Sequence, residues 1–234
     1  MVRAELIKRS PLRILEKSIH GELKPGTLGV VASPKGVGKT ACLVHMATDK
    51  LFQGKHVIHV SFSERTDHII SWYEDIFKEI ANKRELESAM EVHDEIIKNR
   101  VIMNFSQEGV GVTRVLKSLR TMIDDGHFEA DLVVVDGYNF RSGSAEDIKQ
   151  VAAFAKDLNL SVWFSASLDP EESVDKRGIP ECLLGYLDLF AAVILLSDEA
   201  DHVVLRLVKD HDSYPGEDLH LKLDTKTLLI AEDS

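Results

Sequence analysis

Three features of the sequence predict an α/β fold with a mostly parallel, twisted sheet and an antiparallel C-terminal edge. Short apolar runs of strand type alternate with segments whose apolar residues recur at helical spacing. A glycine-bearing loop ending in Gly-Lys-Thr stands between the first such strand and the helix that follows it. Towards the C-terminus the alternation gives way to strand-like runs separated by a Pro-Gly turn.

In chain order, Ser10-Pro11 followed by Leu12, Ile14, Leu15 and Ile19 predicts a short helix, with an N-cap serine, proline at the first helical position and a stop at Gly21. Lys24-Pro25-Gly26 is turn chemistry, and Thr27 to Ala32 reads as a buried parallel strand. A helix follows from Lys39 to about Phe52, then a strand from Lys55 to Phe62. Ile69, Ile70, Tyr73, Ile76, Phe77 and Ile80 lie at helical spacing, and residues 82–100 are charged enough for a further surface helix. Val101 to Phe105 is a strand. Val115, Leu116, Leu119, Met122 and Ile123 mark a helix stopped at Gly126. Leu132 to Val135 is a strand ending in Asp136, and Ser144 with Asp147 opens the next helix as a capping pair. Ser161 to Phe164 and Ala191 to Leu196 are further central strands. Val203 to Val208, Leu219 to Leu223 and Thr227 to Ile230 form the antiparallel tail.

Composition narrows the function. The chain has 234 residues, 44% of them hydrophobic and 29% charged, so whole-chain disorder is excluded and one domain over residues 1–234 is expected. Lys plus Arg number 28 against 39 Asp plus Glu, a net charge of −11 that disfavours a dedicated nucleic-acid binder. Two cysteines, Cys42 and Cys182, are too few for a disulfide framework and fit a reducing compartment. No apolar run approaches the roughly 20 residues needed to span a bilayer, and the N-terminus lacks a signal-peptide core. A cytoplasmic protein without membrane contact is expected.

The segment Ser33-Pro34-Lys35-Gly36-Val37-Gly38-Lys39-Thr40 is the P-loop pattern, with serine at the usual place of the first glycine. Such a loop wraps backbone N–H groups around phosphates and places them at the positive end of the following helix. Its lysine, here Lys39, reaches the terminal phosphate oxygens, and its hydroxyl, here Thr40, ligates Mg²⁺. Ala41 continues the helix beside them. Gly36 and Gly38 permit the backbone conformations of the cradle, whereas Ser33 reaches positive φ only at a cost of roughly 1 kcal/mol. A second acidic element should end a hydrophobic strand and hold the metal opposite Thr40. Asp136, after Leu-Val-Val-Val, fits that requirement.

With these elements placed, Gly21 to Leu28 running into the phosphate loop resembles the RecA superfamily of ATPases, in the group of KaiC, RadA and DnaB proteins. The resemblance spans nearly the whole chain. It implies a three-layer, RecA-like P-loop NTPase fold, with ATP and Mg²⁺ as ligands. Val57 to Glu64 is similar to the strand ending in the family's catalytic glutamate, Asp136 stands in the second acidic motif, and Phe164 to Leu168 resembles the strand ending in its sensor residue. Asp175 to Arg177, continuing to Leu196, resembles the segment leading to the next strand. Val208-Lys209-Asp210-His211 corresponds to the strand whose Lys-x-Arg pair reaches the γ-phosphate bound to a neighbouring subunit. The resemblance therefore implies a homo-oligomer, a ring or a dimer.

Departures from the family pattern set the expected activity. The activating glutamate aligns with Ser63, leaving Glu64 as the carboxylate placed to assist water, and Ser167 takes the sensor place. The arginine of the trans pair is His211, and a neutral imidazole does not replace a guanidinium finger worth about 10³ to 10⁵ in rate. The reading is an ATP-binding protein with slow hydrolysis by Lys39 and Glu64, acting as a nucleotide-dependent regulator or scaffold. A DNA-handling motor and a nucleotide-free interaction module are the alternatives.

Other residues read more plainly. The ten histidines form no spaced metal cluster with cysteine, Trp163 reads as core, and Cys42 as buried and inert unless the helix end lowers its pKa. Tyr138 and Tyr214 read as loop aromatics, with base or partner stacking as the alternative. Lys83 to Arg100 reads as a solvated helix face or a contact surface for a protein partner. No stretch interleaves basic and aromatic residues as a single-strand channel would.

Overall fold

The computed structural model describes residues 7–19, 21, 23–62, 65–83, 89–105, 111–199 and 201–233. Strands and helices alternate as the hydrophobic spacing requires. They run α1 (Leu12–Ser18), β1 (Leu28–Pro34), α2 (Lys39–Phe52), β2 (Val57–Ser61), α3 (Thr66–Lys83), α4 (Ala89–Lys98), β3 (Arg100–Asn104), α5 (Val112–Asp124), β4 (Leu132–Asp136), α6 (Ala145–Asp157) and β5 (Ser161–Leu168). A 3-10 helix (Glu181–Leu189) and the strands β6 (Phe190–Asp198), β7 (His202–Asp210), β8 (Glu217–Asp224) and β9 (Ile230–Glu232) complete the order.

All nine strands form one sheet, ordered β3-β2-β4-β5-β1-β6-β7-β8-β9. The pairs from β3 through β6 are parallel. Those from β6 to β9 are antiparallel. Parallel strands buried on both faces need apolar residues at nearly every position. Val57–Ser61 and Leu132–Asp136 are buried throughout. Successive residues then feed opposite layers. Trp163 packs beneath α1 and α2, while Val162 and Phe164 face α5, α6 and the 3-10 helix. The six parallel strands put their C-terminal ends on the same edge, where a doubly covered sheet holds its ligands.

Local signals account for most boundaries. The Ser144 hydroxyl accepts from Asp147 N and the Asp147 side chain from Ser144 N, a reciprocal capping box that starts α6. Ser10 is not the cap expected of it: Pro11 stands at the N-cap, the helix begins at Leu12, and the Ser10 hydroxyl accepts from Leu12 N at 3.4 Å. In the charged stretch, α4 turns Ile96 into the core and leaves Glu91, Asp94 and Glu95 exposed. Residues 84–88 of that stretch lie outside the described residues.

Three elements depart from expectation. β9 begins only at Ile230, because a turn closed by Leu228 N–H on the Asp224 carbonyl takes up Thr227 and its neighbours. β5 runs four residues past Phe164, because β1 pairs with it as far as Leu168 and so extends the strand to the edge of the sheet. The 3-10 helix was absent from the sequence reading. Its buried Leu183 and Tyr186 lie three residues apart, the period of that helix, and Pro180 stands directly before it.

Among the described residues no helix is long and apolar enough to cross a membrane. Gly29 in β1 lies opposite Trp163 in β5, and a Cβ there would stand 2.5 Å from the indole ring. Gly29→Ala is expected to cost about 1–3 kcal/mol through overpacking, measurable in denaturant unfolding. An unchanged midpoint would mean the indole has another place to go.

Candidate functional site

The site is built where β1, β4 and β5 end. β1 passes into the loop between Ser33 and Lys39, and α2 begins at Lys39. Gly36 (φ +85°) and Gly38 (φ +113°) take left-handed conformations that favour glycine. A Cβ at Gly36 would meet nothing within 4 Å, so the loop is open there. A Cβ at Gly38 would collide with Leu223, so β8 packs against the loop at that point. Ser33 differs from expectation. It lies within β1, paired with Ser167, and is not among the residues with positive φ, so its replacement of glycine carries no such strain.

Lys39 is buried, and its Nζ donates to the carbonyls of Ser33 (3.0 Å) and Pro34 (2.8 Å) and to Ser33 Oγ (3.4 Å). Burial lowers its pKa to about 8. The Asp136 carboxylate opposes that shift, and Lys35 adds to it. An ammonium held this way gains from any anion brought to the loop.

Asp136 is the other anchor. It is buried, yet both carboxylate oxygens are satisfied: Thr40 Oγ1 donates to Oδ2 at 2.8 Å and Ser165 Oγ to Oδ1 at 2.5 Å. Ser165 in turn accepts from Gly137 N at 2.8 Å. Sequence reasoning placed Thr40 and Asp136 together but gave no role to Ser165. Its signal was a serine, with Ser161 and Ser167, spaced through a strand that pairs beside β4.

These groups open onto a cleft of about 790 Å³ lined by Pro34, Lys35, Gly36, Lys39, Thr40 and Asp136, with Ser165, Ser167 and the loops after β4 and β5 opposite. Arg141 also lines it, a cation the sequence reading missed, and pairs with Asp169 at 2.9 Å and with Glu172. Its signal was the loop directly after the acidic strand end. Tyr138 lines the cleft and also packs edge-on against Phe140 and Phe164, so it belongs to the core as much as to the loop.

The remaining expected residues distribute unevenly. Val37 packs against the core and Ala41 is fully buried in it, so neither lines the cleft. Ser63 and Glu64 lie outside the described residues. Lys209 and His211 do not line the cleft of their own chain. Lys209 is buried, donates to the carbonyls of Phe190 (2.6 Å) and His211, and has its pKa lowered by burial against nearby aspartates. His211 is half-exposed, with φ +52° and Nδ1 2.7 Å from Asp210 Oδ1. Burial pushes the Cys42 thiol up to about 12, so it stays protonated. No group of three or more metal-ligating side chains occurs among the described residues.

A glycine cradle at a helix start, a buried lysine and a hydroxyl–carboxylate pair at the end of adjacent strands define a P-loop nucleotide-binding ATPase fold. Residues 2–161 match the sequence model described as the AAA domain, and the chain belongs to that family of P-loop ATPases. No curated protein matches the chain.

The lysine's buried charge gives a pH signature. Its folded pKa is depressed, so between about pH 8 and 10.5 the unfolded chain holds more protons and stability rises with pH. The stability of wild type minus that of Lys39→Met is therefore expected to increase across this window in thermal melts. A flat difference would show that Lys39 titrates normally.

Proposed function

We propose that the chain binds Mg·ATP in this cleft, hydrolyses it slowly, and acts as a KaiC- or RecA-like regulator or scaffold whose output is a conformation or assembly state. The observation that carries this reading is the Thr40–Asp136–Ser165 chain of hydrogen bonds beside the Lys39 ammonium. The donor set suits the ligands. Thr40 and Asp136 offer hard oxygens of the kind Mg²⁺ takes, and the open space at Gly36 leaves backbone room for phosphate. When bound, the metal would neutralise charge on the phosphate oxygens. Lys39 would exchange its carbonyl partners for phosphate oxygens, and the loop N–H groups from Lys35 to Ala41 would orient the phosphate chain.

Slow hydrolysis follows from what the cleft lacks among the described residues. Asp136 is committed to two hydroxyls, and the other lining carboxylate, Asp169, pairs with Arg141, so neither is free to accept a proton from water. Glu64 is the residue we propose for that role. Ser167 is too short to contact a phosphate as a Gln or His sensor would. Lys209 and His211 would act only across an interface between copies, which is the reason to expect a ring or dimer when nucleotide is present. We take residues 1–234 as one functional domain.

Calorimetry with Mg·ATP tests the assignment. Wild type is expected to bind and Lys39→Ala to lose binding; equal affinity would overturn it. Phosphate release is expected to stay near background and to rise little with single-stranded DNA, whereas strong stimulation would favour a DNA motor. Light scattering with ATP should report a mass above that of one chain, and a monomer would remove the trans role of Lys209 and His211.

A further inference from the structure

Behind α2, on the side of the helix away from the cleft described above, lies a cavity of about 310 Å³. It is lined by residues of α2, the end of α3, the segment before α1 and β9. This falls at the lower end of the roughly 300–1,000 Å³ found for small-molecule sites and far exceeds the space a single water needs.

Its wall contains a polar group that the protein leaves unused. His45 is buried, and its Nδ1 accepts from the backbone N–H of Ile230 at 2.8 Å. A backbone N–H can only donate, so Nδ1 carries the lone pair and the proton of the neutral ring sits on Nε2. Burial keeps the ring neutral at physiological pH, its pKa lowered to about 4. Nε2–H has no hydrogen-bond partner among the described residues. Unlike His59 Nε2, it is not fully sealed by its neighbours, so a ligand in the cavity can reach it.

The wall offers a carboxylate two donors, the His45 Nε2–H and the Lys83 ammonium. Lys83 lines the cavity and forms no ion pair among the described residues, whereas Arg9 lines it with an interaction of its own. Of the two carboxylates in the wall, Asp49 is committed to Arg13 and to Gln53, and Glu232, like Lys83, is solvent-exposed. The rest of the lining, including Pro11, Phe52, Ile80 and Leu229, is apolar.

We infer that this cavity binds a small amphipathic carboxylate, its oxygens accepting from His45 Nε2–H and facing Lys83, its apolar body against Phe52, Ile80 and Leu229. The site is separate from the cleft, and its occupancy does not depend on the proposed nucleotide function.

Octanoate is the probe. Titrated into the full chain, it is expected to bind saturably with sub-millimolar affinity and to move the side-chain ¹H–¹⁵N signal of His45 Nε2–H. 1-Octanol, with the same chain and no carboxylate, should bind more weakly. Lys83→Ala changes an exposed side chain and should weaken octanoate about two- to fivefold. Ile80→Trp should fill the cavity and abolish binding. If that variant fails to fold, the His45 signal and Lys83→Ala decide. No saturable binding, or binding that leaves the His45 signal unmoved and ignores Lys83→Ala, would overturn the inference.

Discussion

A buried carboxylate with both oxygens hydrogen-bonded is the constraint around which this molecule is arranged. Asp136 sits almost wholly out of water, where an unpartnered charge is expensive, and two hydroxyls make it tolerable. One comes from Thr40 at the start of α2, the other from Ser165 in β5, so three separate stretches of chain must meet at one point. That meeting ties together the ends of β1, β4 and β5, whose register the core sets, and the cleft is the space those ends leave. The loop after β1 is thus braced through Thr40 by Asp136 and at Gly38 by Leu223, whose side chain closes on it.

The two-sided burial of the sheet makes this bracing rigid. β4 and β5 carry side chains into a layer on each face, with Trp163 on one side and Phe164 on the other. Shifting either strand by one residue would exchange those layers, so the register that brings Ser165 beside Asp136 is held by the core rather than by the polar contact. Gly29 permits the close approach of Trp163 to β1 for the same reason. Chemistry at the edge of the sheet rests on packing at its centre.

Much of this was legible in the amino-acid sequence because it depends on local patterns. Strand runs such as Leu132 to Val135, the Ser144–Asp147 cap and the Gly-Lys-Thr loop each declare themselves within a few residues. What was not legible depends on contacts between distant segments. Ser165 acquires its role only because β5 pairs beside β4, and Arg141 enters the cleft only because its loop folds against the one carrying Asp169. Ser33 escapes the strain expected of it because β1 runs on to Pro34, a boundary that the turn chemistry of the loop conceals. Lys209 and His211 show the reverse case. Their sequence pattern suggests contact with phosphate, yet in a single chain Lys209 is spent on the carbonyls of Phe190 and His211.

The central claim is that Thr40 and Asp136 form one metal-holding unit, and the most direct measurement is the Mg²⁺ dependence of ATP affinity in wild type and in Thr40→Ala. Chelating Mg²⁺ should weaken ATP binding to the wild type by an order of magnitude or more, while the variant should bind weakly with or without the metal. Equal Mg²⁺ dependence in the two proteins would contradict the account and move the metal, if one is held at all, away from the Thr40–Asp136 pair.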